Sequence, residues 1–369
     1  MIDKLGLTTI FCIYVASILF LVALLSGAPL LQDYSYAQNS SIDDSSHIES
    51  EFFIASTISE EAKQILKNIT SNPWPEFKYP ESNDTEGWKN LSQQAESISI
   101  SQSLPILDKL RPNISSIDIG NISALDVKPM NWTDNGKVLV YAHGGGYTVL
   151  SANSTLSTAA TIANATGLRV ISVDYSLAPA SKWNQTTSEV VSVIKDLIEE
   201  QGYEMKDIAM FGDSAGGGLV AGSVLKLRDE GIGIPSVVVL WSPWTDVTRN
   251  GDTYITLNNS DLFISGDIML QNMAGAYAHP SDQRNPYVSP VYGNFSLGFA
   301  PTLIQVGTKE ILLSDSVRLY QALDQAGIPV KLDVYEGMPH VFQYTLYQAP
   351  ESGLAIQKTA DFIIDYLNS

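Results

Sequence analysis

From about residue 115 to the C-terminus, short apolar segments of strand length alternate with longer segments of helical period, and no other feature narrows the possible folds as much. Two short alternating segments, Ser116–Ile119 and Leu125–Lys128, precede an Asn135-Gly136 turn and the apolar strand Lys137–His143. Arg169–Asp174, Ile208–Phe211, Ser236–Trp241, Thr302–Val306 and Val330–Tyr335 read as further strands. Thr186 and Glu189 have the spacing of a capping box, opening a helix whose apolar face is Val190, Val193, Ile194, Leu197 and Ile198. More helices are expected after the Gly-rich turn at 212–218, over Ser314–Ala326 and near Leu354–Leu367. Repeated βα units imply an α/β class, a mainly parallel central sheet with helices on both faces. Residues 51–112 mix short helical patterns with proline breaks such as Asn72-Pro73-Trp74-Pro75, and are expected to lean on the βα units C-terminal to them.

Charge and cysteine usage exclude several functions. The net charge of −19 argues against nucleic acid and anionic lipid, which call for clustered Lys and Arg. The single cysteine, Cys12, lies in an apolar stretch near the N-terminus, so the body of the chain has no disulfide, no cysteine metal site and no thiol nucleophile. Leu5 to Leu31 carries no charged side chain, long enough to cross a bilayer as a helix, and Ser35-Tyr36-Ala37 has the small-residue spacing of a signal cleavage site. Residues 1–37 are therefore expected to be a signal peptide or membrane anchor, placing the rest outside the cytoplasm, secreted or anchored. Of 19 asparagines, 12 start an Asn-x-Ser/Thr sequon, from Asn39 to Asn294, which suits a glycoprotein. Residues 38–50 are polar and read as a linker.

Gly212-Asp213-Ser214-Ala215-Gly216 follows a strand and opens a helix, the context of a nucleophile elbow. Glycines flank the serine so that strand and helix can meet closely, and the helix N-terminus favours developing negative charge. His143-Gly144-Gly145-Gly146 ends an earlier strand, and its side-chain-free amides could approach a substrate oxygen together with the N–H of Ala215. The serine needs a base. Of four histidines, His47 sits in the polar segment, His143 in the glycine loop and His279 in an irregular insertion, which leaves His340 after the strand Val330–Tyr335. The orienting carboxylate should lie between Ser214 and His340 after a strand; Glu310 is the first choice and Asp315 the competitor, either of which could instead cap the next helix.

Taken together, His143–Gly146, Asp174-Tyr175-Ser176-Leu177-Ala178-Pro179, Gly212–Gly217, Ser242-Pro243-Trp244 and Glu336–His340 resemble the hormone-sensitive-lipase-like esterases, over roughly residues 115–369. The resemblance implies an α/β-hydrolase fold with an eight-stranded, mostly parallel sheet. It implies a catalytic domain over 115–369, with a helical cap built from the N-terminal region (38–114) and an insertion at 244–300. It also implies Ser214, His340 and an acid as triad, Gly145, Gly146 and Ala215 as oxyanion donors, and no metal or organic cofactor. Where the family has Asp-Pro-Leu at the acid, this chain has Glu310-Ile311-Leu312, and Ser176 and Ala180 replace the Arg and Glu of DYRLAPE. Residues Pro301–Gln343 are similar to esterases and lactone hydrolases acting on monoterpene lactones. The expected activity is hydrolysis of small to medium apolar esters by way of an acyl-enzyme, with Trp74, Phe77, Trp88, Phe263, Met269 and Tyr277 as candidate cap aromatics and apolar contacts. The partner expected is a small-molecule ester, with membrane contact only through the N-terminal segment. A catalytically dead ligand-binding or adhesion protein is the rival from another class, and peptidase or carbohydrate deacetylase are rivals among enzymes.

Overall fold

The computed structural model describes residues 52–73, 78–264 and 266–369. The apolar run Leu5–Leu31, Cys12, Asn39, His47, Trp74 and Phe77 lie outside them. Eight strands form one sheet: β1 (Asn113–Ile119), β2 (Ile122–Lys128), β3 (Val138–Ala142), β4 (Arg169–Val173), β5 (Ile208–Asp213), β6 (Val237–Trp241), β7 (Thr302–Gly307) and β8 (Val330–Tyr335). Their order across the sheet is β1-β2-β4-β3-β5-β6-β7-β8. β2 runs antiparallel to both its neighbours and every other pairing is parallel. This is the mainly parallel α/β sheet expected from the alternation.

The central strands are buried on both faces, and successive residues feed two different cores. Val138, Val140, Met210 and Leu240 pack with α4 (Trp183–Glu199), α5 (Ala215–Asp229) and α8 (Leu313–Gln325). Leu139, Tyr141, Phe211 and Val239 pack on the other face with α3 (Leu156–Thr166) and α10 (Pro350–Leu367). Between β6 and β7 the chain forms the short α6 (Thr253–Thr256) and α7 (Gly266–Tyr277), and after β8 comes the single turn α9 (Phe342–Thr345).

Three local expectations are corrected. The Thr186/Glu189 capping box is not made: α4 begins at Trp183, with Lys182 as N-cap. Glu189 instead accepts from the backbone N (2.7 Å) and Oγ (2.8 Å) of Ser176. Those donors lie where the family has an arginine. Asn135-Gly136 does not join neighbouring strands, because β4 lies between β2 and β3; the hairpin turn is Gly120-Asn121, whose φ values of 59° and 62° suit a two-residue loop. Residues 85–110 are not a series of short helices but one helix, α2 (Thr85–Leu110), continuing through Pro105. Pro105 and Ser101, whose carbonyl loses its helical donor, are both exposed, so water can take that place.

The region before the sheet does lean on it. Ala62 and Leu66 of α1 (Glu60–Ser71) pack against Tyr335, Phe342 and Leu346, while Trp88 and Leu91 of α2 enter the main core. Of the 11 sequons within the described residues, ten asparagines are exposed and Asn258 is half-buried. Among the described residues no helix is long and apolar enough to cross a membrane.

Trp88 is 1% exposed and its indole N–H donates to the Glu81 carbonyl (3.0 Å). Trp88→Ala is expected to lower unfolding free energy by about 3–5 kcal/mol, measured by chemical denaturation. A loss under about 1 kcal/mol, the scale of an ordinary surface substitution, would show that α2 is not part of the cooperative core.

Candidate active site

The parallel strands end along one edge, and the loops leaving β5, β7 and β8 carry the three side chains in question. The chain reverses between β5 and α5 at Ser214, which has φ 53° and ψ −125°, a strained conformation for a residue with a side chain. The turn is that tight because strand and helix nearly touch: a Cβ on Gly212 of β5 would fall 2.4 Å from the Gly216 carbonyl oxygen, and one on Gly216 would fall 2.1 Å from the Ala142 carbonyl oxygen of β3. Ser214 N–H donates to the Trp241 carbonyl (2.8 Å), tying the elbow to β6.

With its ring proton on Nδ1, His340 donates to Glu310 Oε2 (2.9 Å) and its Nε2 accepts from Ser214 Oγ (2.9 Å). Glu310 is fully buried. Its Oε1 accepts from the Gly307 amide (2.5 Å) and from Ser242 Oγ (2.9 Å). The His340 loop is stitched to the Glu310 loop by Lys309 N–H to the Met338 carbonyl (3.1 Å) and Gly337 N–H to Thr308 Oγ1 (2.8 Å). Burial opposes charge on His340, but the bond and charge of Glu310, with the charges of Asp261 and Asp213, outweigh it and hold the imidazole above its ordinary range.

Asp315 stands apart from this relay. It lies in the first turn of α8, as expected, but its carboxylate accepts from the Thr245 and Asp246 amides (2.8 and 2.7 Å) rather than from its own helix. Burial and the neighbouring Asp246 charge push it up to about 8. His143 points inward, stacked on Tyr175 at 4.2 Å, and burial lowers it to about 4. His279 bonds Ser281 in the insertion.

The amides of Gly145, Gly146 and Ala215 find no acceptor among the described residues. Gly145 has φ +107° and Gly146 φ +61°, and a Cβ on Gly146 would fall 2.2 Å from Met273 Sδ. The neighbouring Gly144 amide is held by Asp213 (3.3 Å), which also accepts from Tyr141 Oη (2.6 Å). Ser214, His340, Gly145 and Gly146 open into a cavity of about 450 Å³ walled mainly by apolar side chains, Leu91 from α2, Met269 and Met273 from α7, and Leu262, Phe263 and Ile264 among them. Phe263 and Met269 thus sit where the sequence anticipated. Trp88 and Tyr277 are buried in the core instead, Tyr277 stacked on Tyr147 at 3.7 Å. Two residues close to the relay were not anticipated in a site role, Ser242 and Asp261. Ser242 stood in a recognised tripeptide; nothing in the local sequence marks Asp261. No group of three or more potential metal ligands occurs among the described residues.

Fold and site together define a serine hydrolase class, and comparison with known proteins narrows it. The family model described as alpha/beta hydrolase fold matches residues 139–344. An acetyl-hydrolase of Streptomyces hygroscopicus is 32% identical over 247 residues, 67% of this chain and 81% of that protein. An esterase of Acinetobacter venetianus is 31% identical over 61% of this chain and 74% of its own length. A crystal structure of an esterase from the bacterial hormone-sensitive lipase family superposes with a TM-score of 0.72 at 27% identity, covering 84% of this chain and 99% of that one. The chain belongs to the α/β-hydrolase fold family, in its hormone-sensitive-lipase-like branch.

His340 should titrate above the ordinary imidazole range by NMR, and Glu310→Gln should move its midpoint down, since the bond and charge that raise it are lost. A midpoint unchanged by Glu310→Gln would show that the pair does not interact in solution.

Proposed function

We propose that the chain is a serine carboxylester hydrolase in which Ser214 is the nucleophile, His340 the general base and Glu310 the acid of the triad. The observation that carries the reading is the continuous relay from Ser214 Oγ to His340 Nε2 and from His340 Nδ1 to Glu310, at 2.9 Å for each bond, beside unpaired amides. His340 takes the serine proton as Oγ bonds to the ester carbonyl carbon, and the resulting oxyanion is held by the N–H groups of Gly145, Gly146 and Ala215. The carbon–oxygen bond to the alcohol then breaks as His340 returns the proton to the leaving oxygen. Water attacks the acyl-enzyme with His340 again as base, releasing the acid and restoring Ser214. Glu310 keeps the ring in the tautomer that presents Nε2 to the serine and stabilises the imidazolium. None of these steps calls on a metal or cofactor.

The apolar cavity of about 450 Å³ favours small to medium apolar esters. The name of the related acetyl-hydrolase supports short acyl groups. We read residues 38–114 as a linker and N-terminal cap region, 244–300 as the cap insertion of the catalytic domain, and residues 1–37 as the export signal or anchor. The exposed sequons support an extracytoplasmic glycoprotein. Deleting residues 1–37 should leave the protein in the cytosol of its native host without glycans; glycosylated, exported protein after that deletion would overturn this localisation.

Ser214→Ala is expected to lower kcat on p-nitrophenyl acetate and butyrate by about a millionfold, the scale of losing a triad serine, and to abolish labelling by a fluorophosphonate probe. Turnover by Ser214→Ala at the wild-type rate would end the proposal. Including a small lactone and an acetylated sugar in the substrate panel separates esterase from lactonase and deacetylase specificity.

A further inference from the structure

The mechanism leaves one buried carboxylate beside the relay without a role. Asp261 lies in the insertion between β6 and β7 and is 9% exposed. Its Oδ1 accepts from the amides of Phe263 (2.9 Å) and Ile264 (3.0 Å), and its Oδ2 from the amide of Ile311 (2.9 Å). The first two bonds shape a local turn. The third spans 50 positions and lands on the residue that follows Glu310. Leu262, Phe263 and Ile264 line the cavity, and so does Leu312 on the far side of Ile311. One side chain therefore pins the substrate-facing wall to the loop that carries the acid.

We propose that Asp261 is a positioning residue that couples this wall to the triad, holding segment 262–264 against the Glu310 loop and supporting, through its negative charge, the imidazolium formed on His340 during acylation. This inference rests on the serine-hydrolase reading. The bond to Ile311 seats the carboxylate one residue from Glu310, which in turn holds His340. Three amide bonds to a buried carboxylate are charge-assisted and lost together when it is removed. The charges that face Asp261 are Glu310 and His340, and those that face His340 are Glu310, Asp261 and Asp213. Lys309, beside Glu310, turns its ammonium toward the Phe52 and Phe53 rings (5.9 and 5.3 Å). Burial pushes Asp261 up to about 6, and His340 is held above its ordinary range by the negative charges around it, that of Asp261 among them. A negative charge near His340 favours its protonated form. Neutralising Asp261 must then release the proton at lower pH.

The test compares wild type, Asp261→Asn and Asp261→Ala on p-nitrophenyl acetate and p-nitrophenyl hexanoate, with rates normalised to sites titrated by a fluorophosphonate, so that misfolded protein is not counted. Asp261→Asn should move the acid limb of kcat/KM to lower pH. Asp261→Ala should lower kcat/KM for the hexanoate about tenfold more than for the acetate, the scale of a lost charge-assisted bond at the wall. An acid limb at the wild-type midpoint in Asp261→Asn, or equal losses on the two esters in Asp261→Ala, overturns the inference, whatever happens to yield or melting temperature. Failure of the underlying reading looks different: the wild type itself would neither turn over ester nor take the probe.

Discussion

The site depends on one buried charge. Glu310 has no exposed surface, and a carboxylate withdrawn from water without partners costs far more than a domain's whole margin of stability. It is tolerated because each oxygen is met: Oε1 by the Gly307 amide and the Ser242 hydroxyl, Oε2 by His340. Those partners come from the ends of β6, β7 and β8, three adjacent parallel strands that finish on the same edge. The topology that buries the sheet on both faces is thus also what lets a single carboxylate draw three loops together. Ser242 closes the circuit, since its Oγ donates to Glu310 while accepting from the Val341 amide (3.1 Å), next to the histidine.

The insertion between β6 and β7 is tied to this machinery at several places, two of them beside the cavity. Met273 of α7 packs where a Cβ on Gly146 would stand, and Asp261 bonds the amide after Glu310. The same segment supplies much of the apolar wall. Cores and loops packed this closely transmit displacement rather than absorb it. A group that presses on the wall therefore presses on the Gly145-Gly146 loop and the Glu310 loop at once.

Much of this was legible in the sequence, for identifiable reasons. Fully buried strands such as Val237–Trp241 announce themselves by uninterrupted apolar residues, and elbow glycines by the close approach they permit. His340 and Glu310 could be located because both sit just past a strand's carboxyl end. What failed was local punctuation. Thr186 and Glu189 have capping-box spacing, yet Glu189 meets a greater need at Ser176, a residue thirteen positions upstream in the loop after β4. The helix α2 ran through a proline because both groups affected by it face water. Gly120-Asn121 was passed over although both residues suit positive φ, because Asn135-Gly136 is the stronger local turn signal and only the strand order tells them apart. Asp261 had no sequence signature at all. Its importance lies in a bond to Ile311, a consequence of tertiary folding.

Backbone strain bears on whether the site is used for chemistry or only for binding. Ser214, Ser242 and Val341 all adopt positive φ (53°, 46° and 47°), although none is glycine and Val341 is β-branched. Each such residue costs about 1–3 kcal/mol and persists only where its surroundings dictate it. All three belong to the relay or flank it: Ser214 itself, Ser242, which bridges to Glu310, and Val341, which follows His340. A pocket that merely bound an apolar ligand would need the wall but not this backbone, since nothing in apolar contact requires a serine hydroxyl 2.9 Å from an imidazole. Of the eight non-glycine residues at positive φ among the described residues, these three lie where an alcohol would be aimed and its proton removed, which supports hydrolysis as the use of the arrangement.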